Sequence, residues 1–144
     1  MFLGGALAYT LSLPGQSTTE DLIASFFTTY AESTDQALDD LFATNPWMSG
    51  NSSGTENVKL RIRESAKLMG GFVGTEKLAE QVLGASLKTV IYMVKYERQP
   101  LRFTFQFYKP REEWMIYNFS FDEELGEEME DAIKQDYLSG KAGG

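Results

Sequence analysis

The sequence contains no cysteine and no histidine among its 144 residues. Without cysteine there is no disulfide framework, no thiolate metal site and no cysteine nucleophile. Without histidine the chain lacks the usual general base near neutral pH and the commonest metal ligand. A Ser-His-Asp triad, a histidine-ligated zinc site and a non-haem iron facial triad are therefore excluded, and the sequence predicts no metal and no cofactor.

Basic residues are absent from the first part of the chain, since no Lys or Arg precedes Lys59. Residues 1–58 carry seven acids and no base, a formal charge of −7. Residues 59–111 carry eleven bases and four acids, a formal charge of +7. Residues 112–144 carry two bases and ten acids, a formal charge of −8. The overall charge of −8 disfavours nucleic-acid binding, which needs clustered cations. Either the acidic ends fold back beside the basic middle and neutralise it, or the middle is a surface for an anionic partner.

Long hydrophobic runs are also missing. The most apolar segment, residues 1–13, ends at Pro14-Gly15 and is too short for a bilayer span, which needs about 20 residues. Its length and its Ala6-Leu7-Ala8 triplet are typical of a signal peptide, although the positive residues that usually come first are absent. We expect residues 1–16 to be an export leader or its remnant, and the alternative is an arm packed on the domain. Because the leader is favoured, an exported or periplasmic location is expected rather than a cytoplasmic one. No stable membrane insertion is expected.

Helices are predicted in the first half of the chain. Ser17 and Glu20 form a capping-box pattern at the start of a helix over residues 18–32, whose apolar residues recur at helical spacing. Thr34 or Asp35 then caps a second, shorter helix.

The segment after this second helix is less regular. Pro46 ends the helix, and residues 45–54 form a Gly/Ser/Asn loop that carries Trp47. Residues 55–69 show both a strand-like alternation and one apolar helical face. Good helix formers at the end of this stretch and the Gly70-Gly71 pair after it favour a third helix.

Aromatic residues dominate the second half of the chain. Nine of the 26 residues from 96 to 121 are Tyr, Phe or Trp, and turns with proline divide this region into strands over residues 86–97, 101–109 and 114–121. A turn that pairs Glu97 with Arg102 places one apolar set on a single sheet face. This set is Tyr92, Val94, Tyr96, Phe103, Phe105, Phe107, Met115, Tyr117, Phe119 and Phe121. We expect it to form the core beneath Leu22, Phe26 and Phe27 of the first helix.

The order of elements resembles that of nuclear-transport-factor-2-like proteins, over about residues 18–131. At motif level the likeness is to small uncharacterised bacterial members and is confined to residues 84–125, GASLKTVIYMVKYERQPLRFTFQFYKPREEWMIYNFSFDEEL. It implies an α+β cone of the cystatin-like kind, with three N-terminal helices on a curved four-stranded antiparallel sheet and a short acidic C-terminal helix. The single domain would span residues 17–138, followed by a flexible tail over residues 139–144. The resemblance also implies a strand over residues 72–82, where propensity alone favours a helix over 76–83.

Ketosteroid isomerase, scytalone dehydratase and limonene epoxide hydrolase belong to this superfamily and act inside the cone. None of their motifs matches here, and the inward strand positions hold no acid, so no catalytic residue is assigned. Asp35, Asp39 and Asp40 are interpreted as a cap and an exposed acidic face. Two function classes stay open: a non-catalytic ligand-binding or interaction module, which is favoured, and an isomerase, dehydratase or hydrolase that uses a Tyr/carboxylate pair.

Two sites are predicted on opposite faces of the sheet. The first is an aromatic pocket for a small, mainly apolar ligand oriented by tyrosine hydroxyls. Its residues are Tyr30, Trp47, Tyr92, Tyr96, Phe105 and Tyr117. The second is a face of mixed character, which in the superfamily commonly pairs two copies, so a homodimer is expected. Its residues are Arg102, Thr104, Gln106, Trp114, Ile116 and Asn118.

Overall fold

The computed structural model of the protein describes residues 17–49 and 52–140, so the predicted leader and the last four residues of the tail lie outside it. Helices α1 (Thr19–Tyr30), α2 (Thr34–Phe42), the single turn α3 (Pro46–Ser49) and α4 (Ser52–Met69) come first. Strands β1 (Phe72–Leu83), β2 (Leu87–Tyr96), β3 (Pro100–Tyr108) and β4 (Met115–Asp122) follow, and then helix α5 (Leu125–Leu138). The strands form one curved, open antiparallel sheet in the order β1-β2-β3-β4. The α+β class is therefore confirmed.

Helix α1 begins with a capping box one residue later than predicted. The Thr18 hydroxyl accepts a hydrogen bond from the Asp21 amide at 3.0 Å, and the Asp21 carboxylate accepts one from the Thr18 amide at 3.2 Å. The predicted pair, Ser17 and Glu20, has the same three-residue spacing. The sequence pattern fits both pairs, and only the folded chain shows that the pair beginning at Thr18 forms the cap.

Helix α2 is capped by Ser33 and not by Thr34 or Asp35. The Ser33 hydroxyl accepts a hydrogen bond from the Gln36 amide at 3.1 Å, which satisfies one of the free donors of the first turn. Asp35 is then free to turn towards α4. Asp40 accepts a hydrogen bond from the Gln36 side chain at 2.7 Å, one turn along the helix.

Strand β1 replaces the helix that propensity favours over residues 76–83. It pairs with β2 along its length, from Phe72 opposite Tyr96 to Leu83 opposite Leu87. The backbone hydrogen bonds of this long hairpin outweigh the helix propensity of its Glu, Lys, Leu, Ala and Gln residues. The strand implied by the family resemblance is confirmed, and the helix is wrong.

The β2–β3 hairpin has a register four residues away from the predicted one. Arg102 lies opposite Met93 and not opposite Glu97, and Lys95 lies opposite Pro100. Because side chains alternate with a period of two, an even shift leaves every side chain on its predicted face. The predicted faces of β2 and β3 are therefore correct although the pairing was wrong.

The turn between β2 and β3 is anchored on the end of α4. The amide of Arg98 donates to the Met69 carbonyl at 2.8 Å, and the amide of Glu97 donates to the Gly71 carbonyl at 3.0 Å. Gly70 has a φ of +91°, as expected of a glycine that ends a helix. These contacts hold the β2–β3 turn against the end of α4 in its observed register.

The core lies between α1 and the inner face of the sheet, which we define as the face that α1 covers. The aromatic residues buried there are Phe103, Phe105, Phe107 and Phe119. Phe26 is buried among them, and Leu22 and Phe27 pack against them from the same helix. Phe121 is only partly buried, and the Arg61 guanidinium lies 4.7 Å from its ring centre. The prediction that α1 covers an aromatic sheet face is confirmed.

A β-bulge reverses the faces at the start of β4. Asn118 lies opposite Gln106, but Ile116 lies opposite Phe107, so Tyr117 is an extra residue in β4. A bulge moves every side chain before it to the other face. Ile116 is consequently fully buried in the core, whereas Tyr117 is 56% exposed. The predicted places of these two residues, in the interface and in the pocket, are both wrong.

Candidate functional site

The structure brings Tyr30 and Tyr96 together, as the pocket prediction requires. Tyr30 lies at the end of α1 and Tyr96 at the end of β2, and one hydroxyl donates a hydrogen bond to the other. Both side chains are buried. Burial raises the pKa of the Tyr30 phenol, and burial together with the neighbouring Tyr30 raises the pKa of Tyr96 well above its usual range. Both groups are thus neutral hydroxyls under ordinary conditions.

The other predicted pocket residues divide between core and surface. The Phe105 ring centre lies 5.3 Å from that of Phe26, and the Tyr92 ring centre lies 5.3 Å from that of Phe27. Helix α1 therefore fills the inner face with its own rings. Trp47 is 84% exposed, and no ring–ring contact in the described part of the chain involves it. Four of the predicted pocket residues thus belong to an aromatic layer: Tyr30, Tyr92, Tyr96 and Phe105. The other two, Trp47 and Tyr117, lie at the surface.

The carboxylates of Asp35 and Asp39, on the helix that follows Tyr30, are used in ion pairs between α2 and α4. Asp35 pairs with Arg63 at 2.5 Å, and Asp39 pairs with Lys59 at 2.9 Å. Lys59 also contacts Glu56 at 2.6 Å, and the hydrogen bonds to Glu56 and Asp39 raise the pKa of Lys59 to about 12. Asp35 is therefore not the helix cap, contrary to the prediction. Asp39 was interpreted as part of an exposed acidic face, but its carboxylate also joins α2 to α4.

No carboxylate in residues 17–49 and 52–140 is hydrogen-bonded to the hydroxyl of Tyr30 or Tyr96. These hydroxyls bond to each other instead. Over the same residues, no group of three or more acidic side chains is arranged to hold a metal ion.

The outer sheet face, opposite α1, carries four of the six predicted interface residues. Thr104 and Asn118 lie on it, together with Gln106, whose amide donates to the Thr89 hydroxyl at 3.2 Å. All three side chains are at least partly exposed. They could hydrogen-bond across an interface.

Arg102 also lies on this face, but acidic side chains of the same chain neutralise its positive charge. Its guanidinium contacts Glu128 of α5 at 2.5 Å and Asp122 at 3.1 Å. These hydrogen bonds raise the pKa of Arg102 above its ordinary value. Arg102 therefore fastens the start of α5 to the sheet.

The last two predicted interface residues belong to the core side. Ile116 is buried by the bulge, as described above. Trp114 packs partly buried against the core, and the ammonium groups of Lys109 and Lys88 lie 4.9 Å and 5.6 Å from its ring centre. Trp114 is thus no part of the outer face, contrary to the prediction.

Ion pairs join the basic middle of the chain to both acidic ends. They are Lys59–Asp39, Arg63–Asp35, Lys88–Glu20, Arg102–Asp122 and Arg102–Glu128. The interpretation that the ends fold back and neutralise the middle is confirmed for these residues.

An apolar groove that the sequence did not predict lies at one end of the outer face. Leu87, Tyr108 and Tyr117 line it, its volume is about 280 Å³, and the two tyrosine rings lie 6.1 Å apart. Leu83, the partner of Leu87 in β1, is largely exposed. The groove was missed because alternation assigned Tyr117 to the core, and nothing in the local sequence marks the bulge.

A larger open cleft of about 810 Å³ lies between α4 and the end of β4. Its lining is mostly charged or polar: Leu60, Arg61, Glu64, Ser65, Phe121, Asp122, Glu123 and Glu124. The stacking of Arg61 on Phe121 occupies the aromatic surface of this cleft.

Comparison of the chain with protein-family models, with curated proteins and with solved structures finds no match. The resemblance to nuclear-transport-factor-2-like proteins thus rests on the motifs and on the order of elements. Among the described residues, no helix is long and apolar enough to span a bilayer.

Proposed function

We propose that this chain is a non-catalytic interaction module of the nuclear-transport-factor-2-like type that forms a homodimer through its outer sheet face. The carrying observation is the apolar groove of Leu87, Tyr108 and Tyr117, which is exposed at the surface. Tyrosine is enriched where proteins meet. The polar side chains of Thr104 and Gln106 would add hydrogen bonds beside it.

The filled interior supports an interaction module over a ligand carrier. Phe26 and Phe27 of α1 pack ring to ring with the sheet, so a ligand in this layer would have to displace them. A small hydrophobic ligand in the cone stays a prediction, which native mass spectrometry of the purified protein tests. The alternative enzyme needs a Tyr/carboxylate pair, and the Tyr30–Tyr96 pair does not supply one.

Light scattering after size-exclusion chromatography, at high micromolar concentration, tests the dimer. We expect the wild type to be a dimer and Tyr117→Glu to be a monomer, because a carboxylate in the groove would be buried without a partner. Trp47→Glu is the matched control, since it changes an exposed aromatic residue elsewhere and is expected to stay dimeric. A monomeric wild type, or a Tyr117→Glu variant that stays dimeric, would contradict the proposal.

A further inference from the structure

Helix α5 is joined to the sheet by a single ion pair. Within residues 17–49 and 52–140, the contact of Glu128 with Arg102, at 2.5 Å, is the only side-chain hydrogen bond or ion pair between α5 and another element. Leu125 in the first turn is partly buried, and every residue from 126 to 138 is exposed. The helix therefore has almost no apolar packing that would keep it on the sheet.

This ion pair is open to solvent on its acidic side, so it holds the helix weakly. The Glu128 side chain is 62% exposed, whereas that of Arg102 is 15% exposed. A surface ion pair shifts an equilibrium by no more than about fivefold, and salt screens it. A helix of 14 residues is only marginally stable in water when nothing packs on it. Loss of the ion pair is therefore expected to release α5 and to unfold it.

The attached start of α5 borders the outer sheet face. Arg102 and Thr104 both project from this face, two residues apart on β3, which separates them by about 7 Å. Arg102 lies opposite Asp122 at the end of β4, and α5 begins three residues later at Leu125. A second copy that packs on the outer face at Thr104 would therefore meet the first turns of α5.

We infer that α5 is a strap that limits access to the outer face, and that the Arg102–Glu128 ion pair is the clasp that holds this strap closed. The inference rests on the proposed homodimer and adds its regulation. With the clasp closed, α5 occupies the Arg102 end of the face. With the clasp open, α5 leaves, and the row from Arg102 to Gln106 is accessible to the second copy. Because the open form is the one that dimerises, the apparent Kd is the intrinsic Kd divided by the open fraction.

Glu128→Gln removes the clasp, and Glu130→Gln is the matched control. The control removes the same charge from an exposed acid of α5 that forms no ion pair in the described part of the chain. Hydrogen exchange with mass spectrometry, at a concentration low enough for the protein to be monomeric, measures the opening of α5. We expect residues 125–138 to exchange about threefold faster in Glu128→Gln than in the wild type, as suits a surface ion pair. Glu130→Gln is expected to match the wild type.

Sedimentation equilibrium of the same three proteins measures Kd. We expect Kd to fall in Glu128→Gln by the same factor by which exchange accelerates, because both follow the open fraction. At 1 M NaCl the screening length is about 3 Å, so the wild type and Glu128→Gln are expected to have equal exchange rates and equal Kd.

The possible outcomes separate the two proposals. Equal exchange in Glu128→Gln and Glu130→Gln overturns the clasp and leaves the homodimer standing. Faster exchange with an unchanged Kd overturns the control of the outer face by α5. A difference between Glu128→Gln and the wild type that persists in 1 M NaCl overturns an ionic clasp. A wild type that is monomeric at every concentration overturns the proposed function and its regulation, whereas the exchange of the monomer still decides the clasp.

Discussion

At the scale of single residues, Phe105 shows how the aromatic core depends on one ring. It is fully buried, and its ring centre lies 5.3 Å from those of Phe26 and Phe119. We expect Phe105→Ala to lower the free energy of unfolding by about 3–5 kcal/mol, because the helix above it cannot collapse into the cavity. Urea unfolding at one fixed protein concentration measures this loss.

Trp47→Ala is the exposed aromatic control and is expected to change stability by less than about 0.5 kcal/mol. A loss below about 1 kcal/mol for Phe105→Ala would show that Phe105 does not hold the core.

Lys59 is the buried cation that links α2 to α4. Its side chain is 8% exposed and contacts Asp39 and Glu56. Because its folded pKa, about 12, lies above the ordinary value of 10.5, its contribution to stability is complete below pH 10.5 and is lost as pH rises through about 12. We expect Lys59→Met to cost about 1.5–3 kcal/mol at pH 7, the usual range for hydrogen bonds to charged groups.

Urea unfolding of the wild type and Lys59→Met at several pH values between 7 and 11.5 tests the sign. The difference in the free energy of unfolding is expected to stay constant up to about pH 10 and then to shrink. Lys67→Met, an exposed lysine on the same helix, is the matched control and is expected to differ from wild type by no more than about 0.5 kcal/mol. A difference for Lys59→Met that grows with pH would contradict the assigned ion pairs.

At the scale of elements, the α2–α3 loop anchors the bulged start of β4. The Ile116 amide donates to the Thr44 hydroxyl at 3.0 Å, and the Ile116 carbonyl accepts from the Asn45 side chain at 2.7 Å. This loop thus satisfies both backbone groups of Ile116 at the edge of the sheet. An unpaired strand edge would otherwise expose them.

Thr44→Val removes the acceptor of the Ile116 amide while keeping the shape of the side chain. We expect a loss of about 1–3 kcal/mol, because a buried donor is left without a partner. Hydrogen exchange at the Ile116 amide is expected to become faster, whereas Thr28→Val, at an exposed site on α1, is expected to leave that rate unchanged. Unchanged protection of Ile116 in Thr44→Val would show that another group satisfies this amide.

At the scale of the whole molecule, the remaining prediction concerns export. Residues 1–16 precede the described part of the chain, and their composition predicts a leader. If they are removed, the protein recovered from its native host should begin between Pro14 and Thr18, since the α1 cap starts at Thr18. Intact-mass measurement of the native protein decides this, and a full-length cytoplasmic form would contradict it.

The sequence by itself was sufficient for the features that depend on local periodicity. Apolar spacing located the helices within a few residues, and alternation placed Phe103, Phe105 and Phe107 on the buried face. The assignment of these side chains to the buried face is correct although the β2–β3 register differs from the predicted one by four residues. An even shift does not change which face a side chain occupies. Of the predicted site residues, Tyr30, Tyr92, Tyr96 and Phe105 lie on the inner side, and Arg102, Thr104, Gln106 and Asn118 lie on the outer face, as local periodicity places them.

Only the tertiary structure decided the features that depend on distant partners. β1 is a strand because β2 supplies its hydrogen bonds, against its own helix propensity. The β4 bulge exchanged the faces of Ile116 and Tyr117, since one extra residue reverses the alternation before it. Local sequence carries no signal for such a bulge, because it is set by how β4 meets both β3 and the α2–α3 loop. The apolar groove follows from the bulge, which turns Tyr117 outwards beside Tyr108, and this explains why it could be recognised only in the folded chain.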